Sequence, residues 1–153
     1  MLRSLVARDS TNADLRLQLA VAETELASAL VAGGAPARAQ AGVAAAERLL
    51  VPMVENASAE RRVRLALART RLVTAELHDR ERLRSAASMA RQAALDALGD
   101  PANDEVEGVD VRARALAGLG RRAEAESLVA RLRRYGYRAP GFPELAARLD
   151  RGL

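Results

Sequence analysis

Apolar residues recur along most of this chain three or four positions apart, and each such run is closed by glycine, proline or a small polar cluster. The pattern predicts helices. Asn12 or Asp14 starts one that runs to about Ala32, where Gly33-Gly34 stops it, and Pro36 then sits where a first helical turn tolerates proline. A second helix follows to about Leu50, and Pro52 bends or ends it. Asn56-Ala57-Ser58 reads as a turn with Ser58 as the next cap, opening a third helix from about Ala59 to Leu77. Its partner spans about Glu81 to Leu98 and ends in Gly99-Asp100-Pro101. A further pair, about Val106 to Gly118 and Arg122 to Arg134, is joined by Leu119-Gly120-Arg121. After Gly136 an extended Tyr137 to Pro143 leads into a short closing helix from Glu144 to about Arg151.

One segment returns. Leu19-Ala20-Val21-Ala22-Glu23-Thr24-Glu25-Leu26 reappears about 46 residues later as Leu65-Ala66-Leu67-Ala68-Arg69-Thr70-Arg71-Leu72, the self-similarity expected of a repeated supersecondary unit. On a helix of 3.6 residues per turn the first copy shows two stripes: Leu19, Ala22, Leu26 and Ala29, and Leu17, Val21, Thr24, Ser28 and Val31. The second copy repeats both, as Leu65, Ala68, Leu72 and Ala75 beside Val63, Leu67, Thr70, Thr74 and Leu77. The aliphatic stripe is assigned to the core, so Leu26→Ala or Leu72→Ala is expected to cost about 2–5 kcal/mol. The hydroxyl-bearing stripe is either the floor of a groove, with Thr24, Ser28, Thr70, Thr74 and Arg71 as its residues, or packing in which hydroxyls bond back to the helix.

Composition narrows the class. Half of the 153 residues are apolar, but only Tyr135, Tyr137 and Phe142 are aromatic, so Ala, Leu and Val must fill the core of an all-α domain. All 24 basic residues are arginine, against 20 acidic ones, a balance of +4 that does not require a nucleic-acid partner. The absence of cysteine excludes disulfides and thiolate metal sites. No stretch approaches a membrane span, and charge interrupts the N-terminal apolar run too early for a signal peptide. From Asp100 to Asp110 the chain is acidic without one basic residue, which reads as an exposed loop followed by charge suited to a helix N-terminus.

Catalytic chemistry finds little support. His78, the single histidine, stands beside Asp79 at a helix end with no serine or cysteine to complete a triad, and Glu81 adds too few ligands for a metal. There is no P-loop and no G-x-G-x-x-G after a strand. The arginine groups Arg61-Arg62-Val63-Arg64, Arg80 to Arg84 and Arg131 to Arg134 are interspersed with acids, which suits ion-paired faces, and Arg133, Arg134, Tyr135, Tyr137 and Arg138 form the best basic-aromatic cluster.

The turns resemble the tetratricopeptide repeat, in which a glycine between two helices is followed five residues on by a small residue at their closest approach. Gly34 with Ala39 and Gly120 with Ala125 carry that resemblance; Leu26 holds the family's aliphatic position before the turn, and Val43 and Val129 the apolar one after it. In the middle unit Arg80, Ser85 and Met89 fall at the corresponding places, and in the third Arg112 takes the aliphatic one. The family repeats at about 34 residues, shorter than the spacing here. The segment from Leu128 to Phe142 is similar to the ends of bacterial multidomain proteins that carry such repeats behind a serine/threonine kinase or a DNA-binding regulatory domain.

The resemblance implies a right-handed stack of three antiparallel helix hairpins, a TPR-like α-solenoid in one domain, with units about 12–55, 58–98 and 104–136 and a cap over 143–151. The expected function is non-catalytic protein or peptide binding, as the scaffold or sensor part of a bacterial signalling protein, without cofactor or metal and with an acidic partner segment favoured. Arginine-mediated nucleic-acid or regulator binding is the alternative. The expected location is the cytoplasm, or the periplasm if the module belongs to a membrane-anchored kinase. Leu2, Leu5 and Val6 are the residues able to cover the open side of the first long helix; otherwise that side is left for self-association.

Overall fold

The computed structural model describes residues 2–55 and 60–151, and it is all-helical, with no strand among the described residues. Among the described residues eight α-helices follow in order: α1 Leu2–Arg8, α2 Ala13–Ala32, α3 Pro36–Val54, α4 Arg61–Arg80, α5 Arg84–Leu98, α6 Val106–Gly118, α7 Arg122–Arg134 and α8 Phe142–Asp150. A single 3-10 turn, Pro101–Asn103, stands between α5 and α6. Among the described residues no helix is long and apolar enough to cross a membrane.

The local chemistry of the ends accounts for most boundaries. Asn12 caps α2, its side chain accepting the Leu15 amide at 3.1 Å, and Pro36 occupies the first turn of α3. Pro52 does not stop α3, which runs on to Val54; proline near a helix end forfeits one backbone bond, and packing of Leu49, Val51 and Met53 retains the turn. The Ser58 cap lies outside the described residues. Between α2 and α3 the chain reverses at Gly34 (φ 77°), between α6 and α7 at Gly120 (φ 75°), and between α4 and α5 at Arg82 (φ 62°). All three turns close alike: the amide after the left-handed residue returns to the last helical turn, Ala35 to Leu30 O, Leu83 to His78 O and Arg121 to Leu116 O.

These turns correct the register of the middle unit. Counting from Arg82 rather than Arg80, the small residue five positions on is Ala87, and Ala39, Ala87 and Ala125 are all fully buried. Ser85 and Met89 point outward, Met89 being 70% exposed.

Helices adjacent in sequence pack together: α2 on α3, α4 on α5, and α6 on α7. Arg16 on the first turns of α2 donates to Leu49 O late in α3, and Arg71 of α4 donates to Ala93 O of α5 while Asp79, later in α4, pairs with Arg91, earlier in α5, so each of these two pairs is antiparallel. α4 also lies against α2, α3 and α6. The Arg62–Asp14 ion pair (2.7 Å) and the Thr24–Thr70 hydrogen bond (2.8 Å) show α2 and α4 running in the same direction.

The stripe assigned from sequence is core only in part: Leu19, Ala68 and Ala75 are buried and Leu65 and Leu72 pack against the core, but the Leu26 end of it faces outward. Leu26 is 50% exposed and Leu72 only partly buried, whereas Leu17, Ala20, Thr24, Ala27 and Val31 are buried, as are Val63, Ala66, Thr70, Val73 and Leu77 at the same offset in α4. Spacing of three and four residues puts each set on one helix face, and small Ala and Thr let the two backbones come close. At the C-terminal end Phe142, Leu145 and Leu149 of α8 cover Val129 and Leu132 of α7, with Tyr137 edge-on to Phe142 at 5.3 Å.

The acidic segment is anchored rather than loose. Asp104 accepts two bonds from the Arg112 guanidinium, at 2.5 and 3.2 Å, and the same guanidinium donates to Gly99 O. Both side chains are almost fully buried, so the arginine that breaks the aliphatic pattern of α6 is the clamp that holds the 99–105 connection.

Candidate functional site

The hydroxyl row predicted as a groove floor is not open. Thr24 and Thr70 are 8% and 0% exposed, and their hydroxyls bond to one another inside the α2–α4 interface. Each hydroxyl also approaches its own i−4 carbonyl, Ala20 O and Ala66 O, at 2.9 Å. Thr74 is partly buried and bonds back to Thr70 O, and Arg71 is committed to Ala93 O. Of the five only Ser28 is exposed, so the row is chiefly an interhelical seam.

An open cleft of about 340 Å³ lies elsewhere, where α4, α5, α6 and α8 meet. Its apolar floor includes Leu72, Ala75 and Leu145; Glu76, Arg91 and Arg114 are among its charged walls. It continues into a second hollow of about 410 Å³ that shares Asp79, Arg91, Gly118 and Arg148 and adds Arg84 and Ser88. Leu72, Glu76 and Asp79 come from one face of α4, at i, i+4 and i+7.

Each charged wall has an identifiable support. Arg91 crosses the helix at Gly118 and pairs with Asp79; a Cβ at position 118 would lie well inside contact distance of its Cδ and Nε. Arg114 donates to Asp110 at 2.9 Å, one helical turn earlier, and to Pro140 O at 3.1 Å, which ties α6 to the segment leading into α8. Arg84 and Arg148 are exposed on the rim and have no partner among the described residues. Glu76 keeps a share of solvent, yet withdrawal of water from its carboxyl raises its pKa above the ordinary value, against the opposing pull of Arg114, Arg80 and Arg91.

Other arginine groups are mostly engaged. Arg61 pairs with Glu105 and Arg62 with Asp14 and Glu60 beside a hollow of about 510 Å³ at the start of α4, and Arg133 pairs with Asp150. In the basic-aromatic cluster Tyr137 packs on Phe142, while exposed Tyr135 lies under the Arg131 guanidinium at 5.9 Å. His78 reaches Glu81 only at 3.7 Å and Asp79 is turned to Arg91. Among the described residues no three His, Cys, Asp or Glu side chains converge as metal ligands.

The cleft was not legible as one site: Leu72 and Ala75 stand in the aliphatic stripe, Asp79 beside His78 and Arg84 in an arginine group, but nothing local brings α4, α5, α6 and α8 to one place. Gly118, the last residue of α6, was the available signal: glycine there helps end a helix and, lacking a Cβ, also admits a close neighbour. No family model, curated protein or solved structure matches the chain.

Proposed function

We propose that this chain is a non-catalytic helical-repeat module that holds a peptide segment of a protein partner, as the scaffold or sensor part of a bacterial signalling protein. The observation that carries this reading is the cleft itself: an apolar floor flanked by arginines, two of which, Arg84 and Arg148, lie on the rim without a partner among the described residues. Guanidinium groups held on rigid helices suit carboxylates, and a preformed surface reduces the ordering a bound segment must undergo. The reading as stacked TPR-like hairpins draws support from the like-built turns at Gly34, Arg82 and Gly120 and from the buried alanines that follow them. Pairing of Arg61, Arg62 and Arg133 with carboxylates weighs against a phosphate-binding face.

The test uses Arg84→Glu with Arg148→Glu, which reverses rim charge without breaking an ion pair seen in the structure. Fluorescence anisotropy against an array of acidic peptides should show binding to the wild-type chain and a loss of about tenfold or more in the double variant. Equal affinities, or binding of generic duplex DNA that falls steeply with salt while every acidic peptide fails, would overturn the reading.

A further inference from the structure

Glu23 stands apart from the cleft and from every interaction used so far. Its side chain is 6% exposed, and it is met by Arg3 of α1, 74% exposed, through one bond of 2.6 Å from Nε to Oε1. The other carboxylate oxygen, Oε2, is buried without a partner. A buried carboxylate satisfied on one oxygen only is costly, and a guanidinium presenting two parallel N–H groups would satisfy both.

The surroundings suit an incoming helix. Leu19, Glu23, Leu26 and Leu30 follow at i, i+4, i+7 and i+11 on one face of α2, and Leu26 is half-exposed beside the carboxylate. α1 packs on α2, but it is seven residues long and Leu2 and Val6 are only partly buried, so its hold rests on shallow packing and polar contacts such as that of Arg3. Helices this short are marginal without packing.

We propose that this face of α2 is a second recognition surface, that its occupant is an amphipathic partner helix presenting an arginine between leucines, and that α1 is a displaceable stand-in for it. Charge complementarity selects this occupant: the acceptor is a single desolvated carboxylate with a spare oxygen in an apolar frame, and the group α1 places there is already an arginine. The partner's guanidinium would take Glu23 in bidentate fashion, with its leucines on Leu26 and the partly buried Leu30.

The probe is a synthetic helical peptide with one arginine flanked by leucines at i−4 and i+3, compared with the same peptide carrying glutamine instead. Anisotropy with the full chain should show Arg3→Ala binding the arginine peptide about tenfold tighter than wild type and about tenfold tighter than the glutamine peptide. Glu23→Gln should erase the preference, and Leu26→Asp, at an exposed position, should weaken binding with helical circular dichroism retained. Arg84→Glu with Arg148→Glu should leave it unchanged, which separates this surface from the cleft. If Arg3→Ala binds the two peptides equally or neither, the proposal is wrong. If Arg3→Ala dimerises on its own by sedimentation, the occupant is a second copy of this chain and the partner-helix assignment fails.

Discussion

Thr24 and Thr70 have two hydroxyl protons for three short contacts, the mutual one and the two to Ala20 O and Ala66 O. Two of these are full hydrogen bonds at any moment, and the third acceptor is left waiting for a rotor to turn. Thr70→Val therefore removes one net bond and is expected to cost about 1 kcal/mol, and Thr24→Val with Thr70→Val removes both and should cost about the sum of the two singles. Urea midpoints of the three variants and wild type give that cycle directly, and a double variant no less stable than either single would show that the mutual contact alone carries the energy. Arg112 is a heavier commitment. Breaking its buried pair by Arg112→Leu strands Asp104 and frees Gly99 O, so a loss of about 3–5 kcal/mol is expected in the same measurement. Arg112→Lys should recover only part, since an ammonium cannot reproduce the two-pronged contact with Asp104.

Helix ends were readable from sequence because capping is local: Asn12, Pro36, Gly34 and Gly120 act on the four or five residues beside them. Which face turns inward was not. α2 and α4 carry two apolar stripes, and in the seam between them the stripe containing Thr24 and Thr70 prevailed over large Leu26 because close helix approach favours small side chains, while Ala68 and Ala75 of the other stripe are buried elsewhere in the core. Arg112 looked like a break in an apolar pattern for a related reason, its partner Asp104 being in a connection whose path cannot be read locally. The middle turn shows the same boundary between local and distant information. Arg82 adopts φ 62° although it is not glycine, and turn chemistry gave no reason to place the reversal there. A left-handed residue with a Cβ costs about 1–2 kcal/mol, and glycine returns roughly 0.5–1 kcal/mol of that as added unfolded-state freedom. Arg82→Gly is expected to stabilise by up to about 1 kcal/mol, seen as a higher thermal midpoint; a lower one would mean the Arg82 side chain holds something the backbone does not.

For the molecule as a whole, the carboxyls differ in the sign of their effect on stability. Asp150 and Glu124 lie below their ordinary values because Arg133 and Arg121 hydrogen-bond to them at the surface, where solvent and salt reduce what such pairs contribute. Glu76 lies above, and the main cause is loss of water, which added salt does not restore. A carboxyl whose folded pKa exceeds its unfolded one binds more protons in the folded state, so stability falls as pH rises between the two values and the deficit is complete above the folded one. Glu76→Gln removes the ionisation while keeping the shape. Its urea midpoint should exceed wild type at neutral pH, at low and high salt alike, and the difference should shrink as pH falls through the folded pKa toward the ordinary glutamate value. A deficit at neutral pH would instead mean that attraction to Arg114, Arg80 and Arg91 outweighs desolvation, and that the carboxylate holds the cleft together rather than straining it. The outcome bears on function because the cleft was read as a seat for acidic segments. If Glu76 is a net strain, its negative charge also repels an incoming carboxylate, and Glu76→Gln should bind acidic peptides more tightly than wild type.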